Sequence, residues 1–343
     1  MSSEHLLKFS KIPPDEHTEG GMRIKASKSN FPILRGMSLY KLILEVNGIR
    51  EPHWHANADE LGYCLKGKVL ITLYHTGDAK ATFLVQPGEV FLIPSGALHH
   101  IENVGDERAE LILNFSSEDT EDFPLSSSLG MFTDAVLGNT WNVDKQVFQP
   151  LKRSLNSVFA TLRKNPVSVP EDARYSTPYR YAVEASKPLV INEGGTARMA
   201  RQNTWPIAKN QALYSLTLTG QGMREPHWHP ETAELGYVAE GRGRMSIQSP
   251  SGQVDTYVME KGDIYFIPKA YPHHIENLES TPLHLLIFFD QGMPRDIGFT
   301  ASVRAYSDEV LASVLDTSPD LFEKLPKYYA DLFIVEKVNP LDT

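Results

Sequence analysis

The sequence predicts an all-β fold built twice, as two tandem antiparallel β-sandwich or barrel domains with short helices behind each. Three observations carry this. Short apolar runs alternate with turn residues at roughly 8–12-residue spacing, the pattern of sandwiches and barrels. Several motifs recur at one fixed offset of 174 residues. Helical spacing of apolar residues emerges only after the strand-like runs of each copy.

The repeat is the firmest of the three. Arg50-Glu51-Pro52-His53-Trp54-His55 returns as Arg224-Glu225-Pro226-His227-Trp228-His229. Glu60-Leu61-Gly62-Tyr63 returns as Glu234-Leu235-Gly236-Tyr237, and His99-His100-Ile101-Glu102-Asn103 as His273-His274-Ile275-Glu276-Asn277. Pro32 and Pro206, Gly67 and Gly241, Gly88 and Gly262, and Asp134 and Asp308 keep the same offset. A period this long exceeds a solenoid repeat, so each copy is expected to be a complete domain. The expected bounds are 1–150 for the first, 151–175 for a linker with Pro166 and Pro170, and 176–343 for the second.

In the first copy Leu39 to Val46 reads as a strand, with Asn47-Gly48 as its turn. Gly62 to Leu65 and Val69 to Tyr74 flank a turn at Lys66-Gly67-Lys68. Thr76-Gly77-Asp78 turns into Ala81 to Val85. Gln86-Pro87-Gly88-Glu89 turns into Val90 to Ile93, and Pro94-Ser95-Gly96-Ala97 turns again before His99. Leu111 to Phe115 ends the set. In the second copy Ser307-Asp308-Glu309 reads as a cap and acidic first turn of a helix, and Ser318-Pro319-Asp320 begins another.

Composition bounds the function. The chain has 343 residues, 41% hydrophobic and 22% charged, ordinary for a globular protein. A net charge of −10 disfavours nucleic acid and anionic membrane as partners. The single cysteine, Cys64, cannot form an internal disulfide. No run approaches a membrane span. Residues 1–21 are polar and lack the apolar region of a secretory signal, so a cytoplasmic location is expected.

The repeated residues carry metal chemistry. Side chains two apart in a strand share a face, so His53 and His55 point together into the barrel. Glu60 and His99 follow at the edges of neighbouring strands. His227, His229, Glu234 and His273 form the same set. Asp59 rivals Glu60 by position, but Ala233 in the second copy favours Glu60. Three nitrogens, one oxygen and no sulfur suit Mn(II), Fe(II) or Ni(II) better than structural zinc, although Zn(II) remains an alternative. Four protein ligands on a six-coordinate ion leave two positions open for a small acid, water or dioxygen. The competing reading is that these are satisfied core histidines; doubling of the set at matched spacing argues against it. His100 and His274 fall on the opposite face.

The spacing Gly48, His53-x-His55-x4-Glu60-x6-Gly67, then Gly88, Pro94-x-Gly96-x2-His99-x3-Asn103 is similar to the signature of the cupin superfamily. The second copy departs once, with Ala270 where the first has Gly96. Among cupins the doubled layout resembles the oxalate decarboxylase family, as do Arg-x-x-His-Trp-His in both copies and Glu19-Gly20-Gly21 and Glu193-Gly194-Gly195 ahead of each barrel. The resemblance implies jelly-roll barrels with one Mn(II) inside each, a small carboxylic acid substrate, dioxygen as co-reactant and a homo-oligomer. It assigns Arg50 and Arg224 to oxalate orientation. Strand alternation alone sets Arg50 off the His53/His55 face unless Glu51-Pro52 breaks the pleat.

Decarboxylation further needs an acid that returns a proton to carbon. In the family this is a glutamate of a first-domain lid. Here the segment after Phe115 is shorter and lacks the family pattern; Glu118, Asp119 and Glu121 are the candidates, against the reading of a solvated acidic loop. If one site turns over, the first domain is expected to hold it. The alternatives to a decarboxylase are an oxalate oxidase or dioxygenase-type enzyme for another small acid, and a non-enzymatic storage or binding protein.

Overall fold

The computed structural model describes residues 3–77 and 79–341; Asp78 of the expected turn lies outside the described residues. The chain forms two β-barrels, each a sandwich of a seven-stranded and a six-stranded sheet. In the first, one sheet runs Asp122–Pro124, Gly48–His55, Leu98–Asn103, Val69–His75, Ala79–Val85, with Ala160–Leu162 also on Gly48–His55. The facing sheet runs Arg180–Tyr181, Val90–Ile93, Glu60–Lys66, Ala109–Phe115, Ser38–Leu44, Gly21–Ala26, Glu16–Thr18. All pairings are antiparallel. The second barrel repeats this order, with His273–Asn277 beside Gly222–Trp228 and Glu234–Glu240 in the facing sheet.

Each barrel has its own core. Tyr40, Leu42 and Leu44 alternate inward against Leu111, Leu113 and Phe115, with Ile71 and Leu73 from the other sheet. Tyr214, Leu216, Leu218, Leu285, Ile287 and Phe289 do the same in the second. Turns fall where glycine permits them. Gly67 and Gly241 sit at φ +80° and +82°, and a Cβ on Gly67 would lie 2.7 Å from the Ala109 backbone. Ala270 adopts φ 63° at the place Gly96 holds with φ 76°, so the second copy keeps the turn at the strain an alanine incurs there.

Helices lie behind the strands, as expected. Asp134–Trp141 is capped by the Thr133 side chain on the Val136 amide, and Asp308–Val314 by Ser307 on the Val310 amide. No helix among the described residues is long and apolar enough to cross a membrane.

The compact units differ from the bounds expected above. One unit is Lys11–Ala185 with Trp205–Ile207; the other is Met1–Ser10, Ser186–Thr204 and Ala208–Thr343. All of 151–175 therefore falls in the unit of the first barrel, where Ala160–Leu162 pairs with Arg50 to Gly48. The opening strands are exchanged: Leu6–Leu7 pairs with Tyr265 and Ile264, and Arg180–Tyr181 with Phe91 and Val90. Pro residues at 166 and 170 gave no hint of this, because membership of a sheet edge is a long-range pairing.

Candidate metal centres

The two sheets of each barrel meet at one cluster. His53, His55 and His99 come from the six-stranded sheet, and Glu60 from the facing one. Their ligand atoms lie within 4.8 Å of one another and all four residues are buried. His227, His229, Glu234 and His273 converge within the same limit. The pairing of His53 with His99, and of His227 with His273, sets two imidazoles directly across a ladder.

Arg50 reaches the same cavity because the strand is bulged. His53 pairs with His99 and Arg50 with Ile101, so three steps on one strand match two on the other. The extra residue falls at Glu51-Pro52, where the missing proline N–H spares the ladder a donor. That step turns Arg50 onto the His53 face, and Arg224 follows identically opposite Ile275.

Every histidine is held by its Nδ1. His53 Nδ1 lies 2.8 Å from the Glu51 carbonyl and His99 Nδ1 2.9 Å from that of Ala97. His227 and His273 use the carbonyls of Glu225 and Tyr271 at 2.8 and 2.9 Å. His55 Nδ1 meets Asp122 Oδ1 at 2.7 Å, and His229 Nδ1 meets Asp296 Oδ1 at 3.0 Å. These Nδ1 contacts orient each ring so that Nε2 faces the centre, where a cation would displace any proton it carries, the arrangement of metal-ligating imidazoles. Two further atoms point the same way. Glu60 Oε1 and His273 Nε2 are buried without a hydrogen-bond partner, which a coordinated cation would satisfy. The donor set and these two atoms fit a divalent ion at each centre.

Electrostatics agree. Burial, then the charges of Arg50 and the neighbouring rings, push His53 well below the ordinary imidazole range, and His227 responds alike beside Arg224. Burial works against charge on His229 too, but Asp296 and Glu234 outweigh it and raise the ring to about 9. Burial would raise Glu60, yet hydrogen bonds from His55 and His99 bring it down to about 2. A metal entering either centre thus meets an ionised carboxylate and at least one imidazole already neutral.

Asp122 and Asp296 complete the cavities. Asp122 Oδ2 accepts from Arg50 at 3.2 Å and from Arg23 at 2.8 Å; Asp296 pairs closely with Arg224. The guanidinium of Arg50 lies over the Phe159 ring at 4.8 Å and that of Arg224 over Phe333 at 3.6 Å. Both phenylalanines hold a left-handed backbone, φ 57° and 67°. Glu51 stabilises the first by accepting from the Phe159 amide at 2.8 Å. Both cavities are small and alike, each about 10 Å³, room for about one water. They differ in charge: Arg23 lines the first, and Ala197 stands at its place in the second.

The acids named from the sequence lie elsewhere. Glu118 accepts from the Gly36 amide at 2.9 Å and faces Lys28. Asp119 is exposed, 3.6 Å from Lys25, and Glu121 is exposed. None of the three lines the cavity. Asp59 accepts from the Ser95 amide at 2.8 Å, a turn contact. His100 and His274 point away from the centres toward Glu102 and Glu276. Asp122 and Asp296 escaped the sequence reading although their numbers differ by the repeat offset; that recurrence was the available signal.

One ring separates the two carboxylates. Tyr265 donates to Glu234 Oε1 at 2.8 Å, whereas Phe91 occupies the matching position beside Glu60. Gly236 and Gly62 make room, since a Cβ there would lie 2.0 and 2.1 Å from ring carbons. Partners that orient ligating carboxylates are worth about 10–100-fold in metal affinity. Tyr265→Phe is therefore expected to weaken divalent-ion binding at the C-terminal centre by about that factor and spare the other, as read by chelator competition. Unchanged retention would show that the phenol does not orient the ligand.

Comparison with known proteins fits this geometry. The family model described as Cupin matches residues 8–149 and 181–320. Oxalate decarboxylase OxdC of Bacillus subtilis is 26% identical over 330 residues, covering 94% of this chain and 85% of that protein. An oxalate decarboxylase of Arthroderma benhamiae is 24% identical, covering 87% and 77%. Oxalate oxidase 2 of Hordeum vulgare is 33% identical over only 86 residues, 24% of this chain and 38% of that protein. The solved structure of Bacillus subtilis oxalate decarboxylase at pH 4.6 superposes with a TM-score of 0.88 at 24% identity, covering 98% of this chain and 88% of that one. Another solved structure of that enzyme concerns the fine structure of its Mn(II) centers.

Proposed function

From the premise that this chain belongs to the cupin family, in two copies, we propose that it is a metal-dependent carboxy-lyase that converts oxalate to formate and carbon dioxide. One observation carries the reading. Three Nε2 atoms and one carboxylate converge in a buried cavity that also holds a guanidinium, Arg50. Similarity to oxalate decarboxylases over most of the chain supports it. Mn(II) is the proposed ion, in keeping with the Mn(II) centers of the Bacillus subtilis enzyme, and dioxygen the proposed co-reactant.

When bound, the ion supplies positive charge and open coordination positions for a small acid. The protein does the rest. Arg50 offers buried N–H donors to a carboxylate, and Asp122 keeps that guanidinium in place while orienting His55. Leu42, Ile101, Leu113 and Phe115 wall the cavity with apolar surface, which strengthens every charge interaction inside. Asp122 serves Arg23 as well as Arg50 and His55, whereas Asp296 serves His229 and only one guanidinium, so Arg50 is less neutralised than Arg224. We therefore assign turnover to the N-terminal centre.

An oxidase reading has one specific observation in its favour. The carboxylates at the N-terminal cavity, Glu60 and Asp122, are both held ionised by their partners, so neither is a ready proton donor. The deciding experiment supplies carbon-13-labelled oxalate to Mn(II)-loaded protein. Labelled formate without stoichiometric peroxide is expected; peroxide without formate would replace the carboxy-lyase by an oxidase. The proposed homo-oligomer is supported by exposed Met131, Trp141, Val314 and Tyr329 behind the barrels. A cytoplasmic setting remains our reading of the lone, buried Cys64.

A further inference from the structure

The two cavities also differ at the partner of one tyrosine hydroxyl. Tyr40 and Tyr214 occupy the same repeat position and line their cavities. Each ring packs on a phenylalanine, Phe115 at 4.5 Å and Phe289 at 4.7 Å. Those phenylalanines in turn pack on ligand imidazoles, His55 at 4.8 Å and His229 at 5.0 Å. Tyr214 donates its hydroxyl to the Pro294 carbonyl at 3.1 Å. The first copy has Thr120 in place of that proline, and the Tyr40 hydroxyl is buried with no partner among the described residues. A buried donor left unmatched is costly and calls for a reason.

Its surroundings supply one. Arg23, paired with Asp15 and Asp122, and Lys25, 3.6 Å from Asp119, stand 5.2 and 5.3 Å from the centre of the Tyr40 ring, so two cations lie over its face. Resting on the carboxy-lyase reading above, we propose that Tyr40 is the catalytic proton donor of the N-terminal cavity. The step balances. The carbon–carbon bond of oxalate breaks and one carboxyl leaves as carbon dioxide. The bonding electron pair stays on the remaining carbon, and the Tyr40 hydroxyl gives that carbon its proton. Formate departs and solvent returns a proton to the phenolate. The acid thus comes from the barrel wall, in place of the acidic loop that follows Phe115.

The test compares Mn(II)-loaded wild type, Tyr40→Phe and Tyr214→Phe. Formate production is expected to fall on the order of 100-fold or more in Tyr40→Phe, the weight of a general acid, and to change less than about threefold in Tyr214→Phe. Oxalate binding under nitrogen, read from the Mn(II) EPR signal, is expected to persist in Tyr40→Phe. In air its residual turnover should shift to oxidation, in which oxalate, dioxygen and two protons give two carbon dioxide and one hydrogen peroxide. The lost hydroxyl has no partner and is costly to bury, so the melting temperature should hold or rise. Formate release by Tyr40→Phe near the wild-type rate overturns the proposal. So does a loss matched by equal loss of oxalate binding or of thermal stability, which marks a structural ring. Wild-type protein that yields no formate removes the carboxy-lyase reading itself, and Tyr40 with it, so the wild-type arm tells the two failures apart.

Discussion

His99→Ala should remove the ion from the N-terminal centre and with it nearly all oxalate turnover, while His273→Ala should empty only the C-terminal centre and leave most turnover intact. His99 is buried on the strand that faces His53, and its Nδ1 is already committed to the Ala97 carbonyl. Among the described residues no other imidazole joins that cluster. A bound cation contributes several kcal/mol to stabilising charge in the reaction, and ~4 kcal/mol corresponds to roughly a thousandfold in rate. Metal content per chain and oxalate turnover, measured on both variants, check this together. Equal losses of activity would assign chemistry to both centres. Loss in His273→Ala alone would reverse the assignment.

Asp122→Ala is expected to be the most destabilising single change near the site. Asp122 is one-fifth exposed and serves Arg23, Arg50 and His55 at once. Without it, two guanidiniums face each other inside the barrel. Removing one partner of a buried ion pair costs about 3–5 kcal/mol, because the remaining charge is stranded. Urea unfolding at neutral pH should report that difference. Its pH dependence has a definite sign. Burial would raise the Asp122 carboxyl, but His55, Arg50 and Arg23 outweigh this and hold it well below the usual carboxylate range. A depressed carboxyl stabilises the fold fully above its unfolded pKa, near 3.9, and loses that contribution as pH falls toward the folded value. The gap between wild type and variant should therefore be full at neutral pH and shrink below about pH 4. A gap that stays constant into acid would mean that Asp122 acts through packing rather than charge. Asp122→Asn, which keeps an acceptor for His55, should recover part of the stability and little of the anchoring of Arg50.

Most of the centre was legible in the sequence because its ligands follow local rules. His-x-His shares a strand face, Glu60 opens the next strand, and the offset of 174 doubles every argument. Arg50 was half legible. Its face depends on one bulge, and Pro52 marks where the bulge falls without fixing its direction. Asp122 was hidden among Glu118, Asp119 and Glu121. Which of four neighbouring acids turns inward is decided by the pairing of Asp122–Pro124 with His55–His53, a register no local periodicity encodes. Tyr40 was invisible for another reason. On a strand it reads as one more core aromatic; only its unmatched oxygen, seen in three dimensions, sets it apart.

The exchanged opening strands bear on how the chain is made. Leu6–Leu7 is made well before its partners Tyr265 and Ile264, more than two hundred positions downstream. Leu6–Leu7 therefore waits unpaired until Ile264 and Tyr265 have been made, and the later barrel closes that edge only with a strand made long before it. Ordering so distant a contact slows folding. A gene fragment cut between the repeats would hand each half a strand that belongs to the other, so duplication of the gene and independence of its halves are separate matters here.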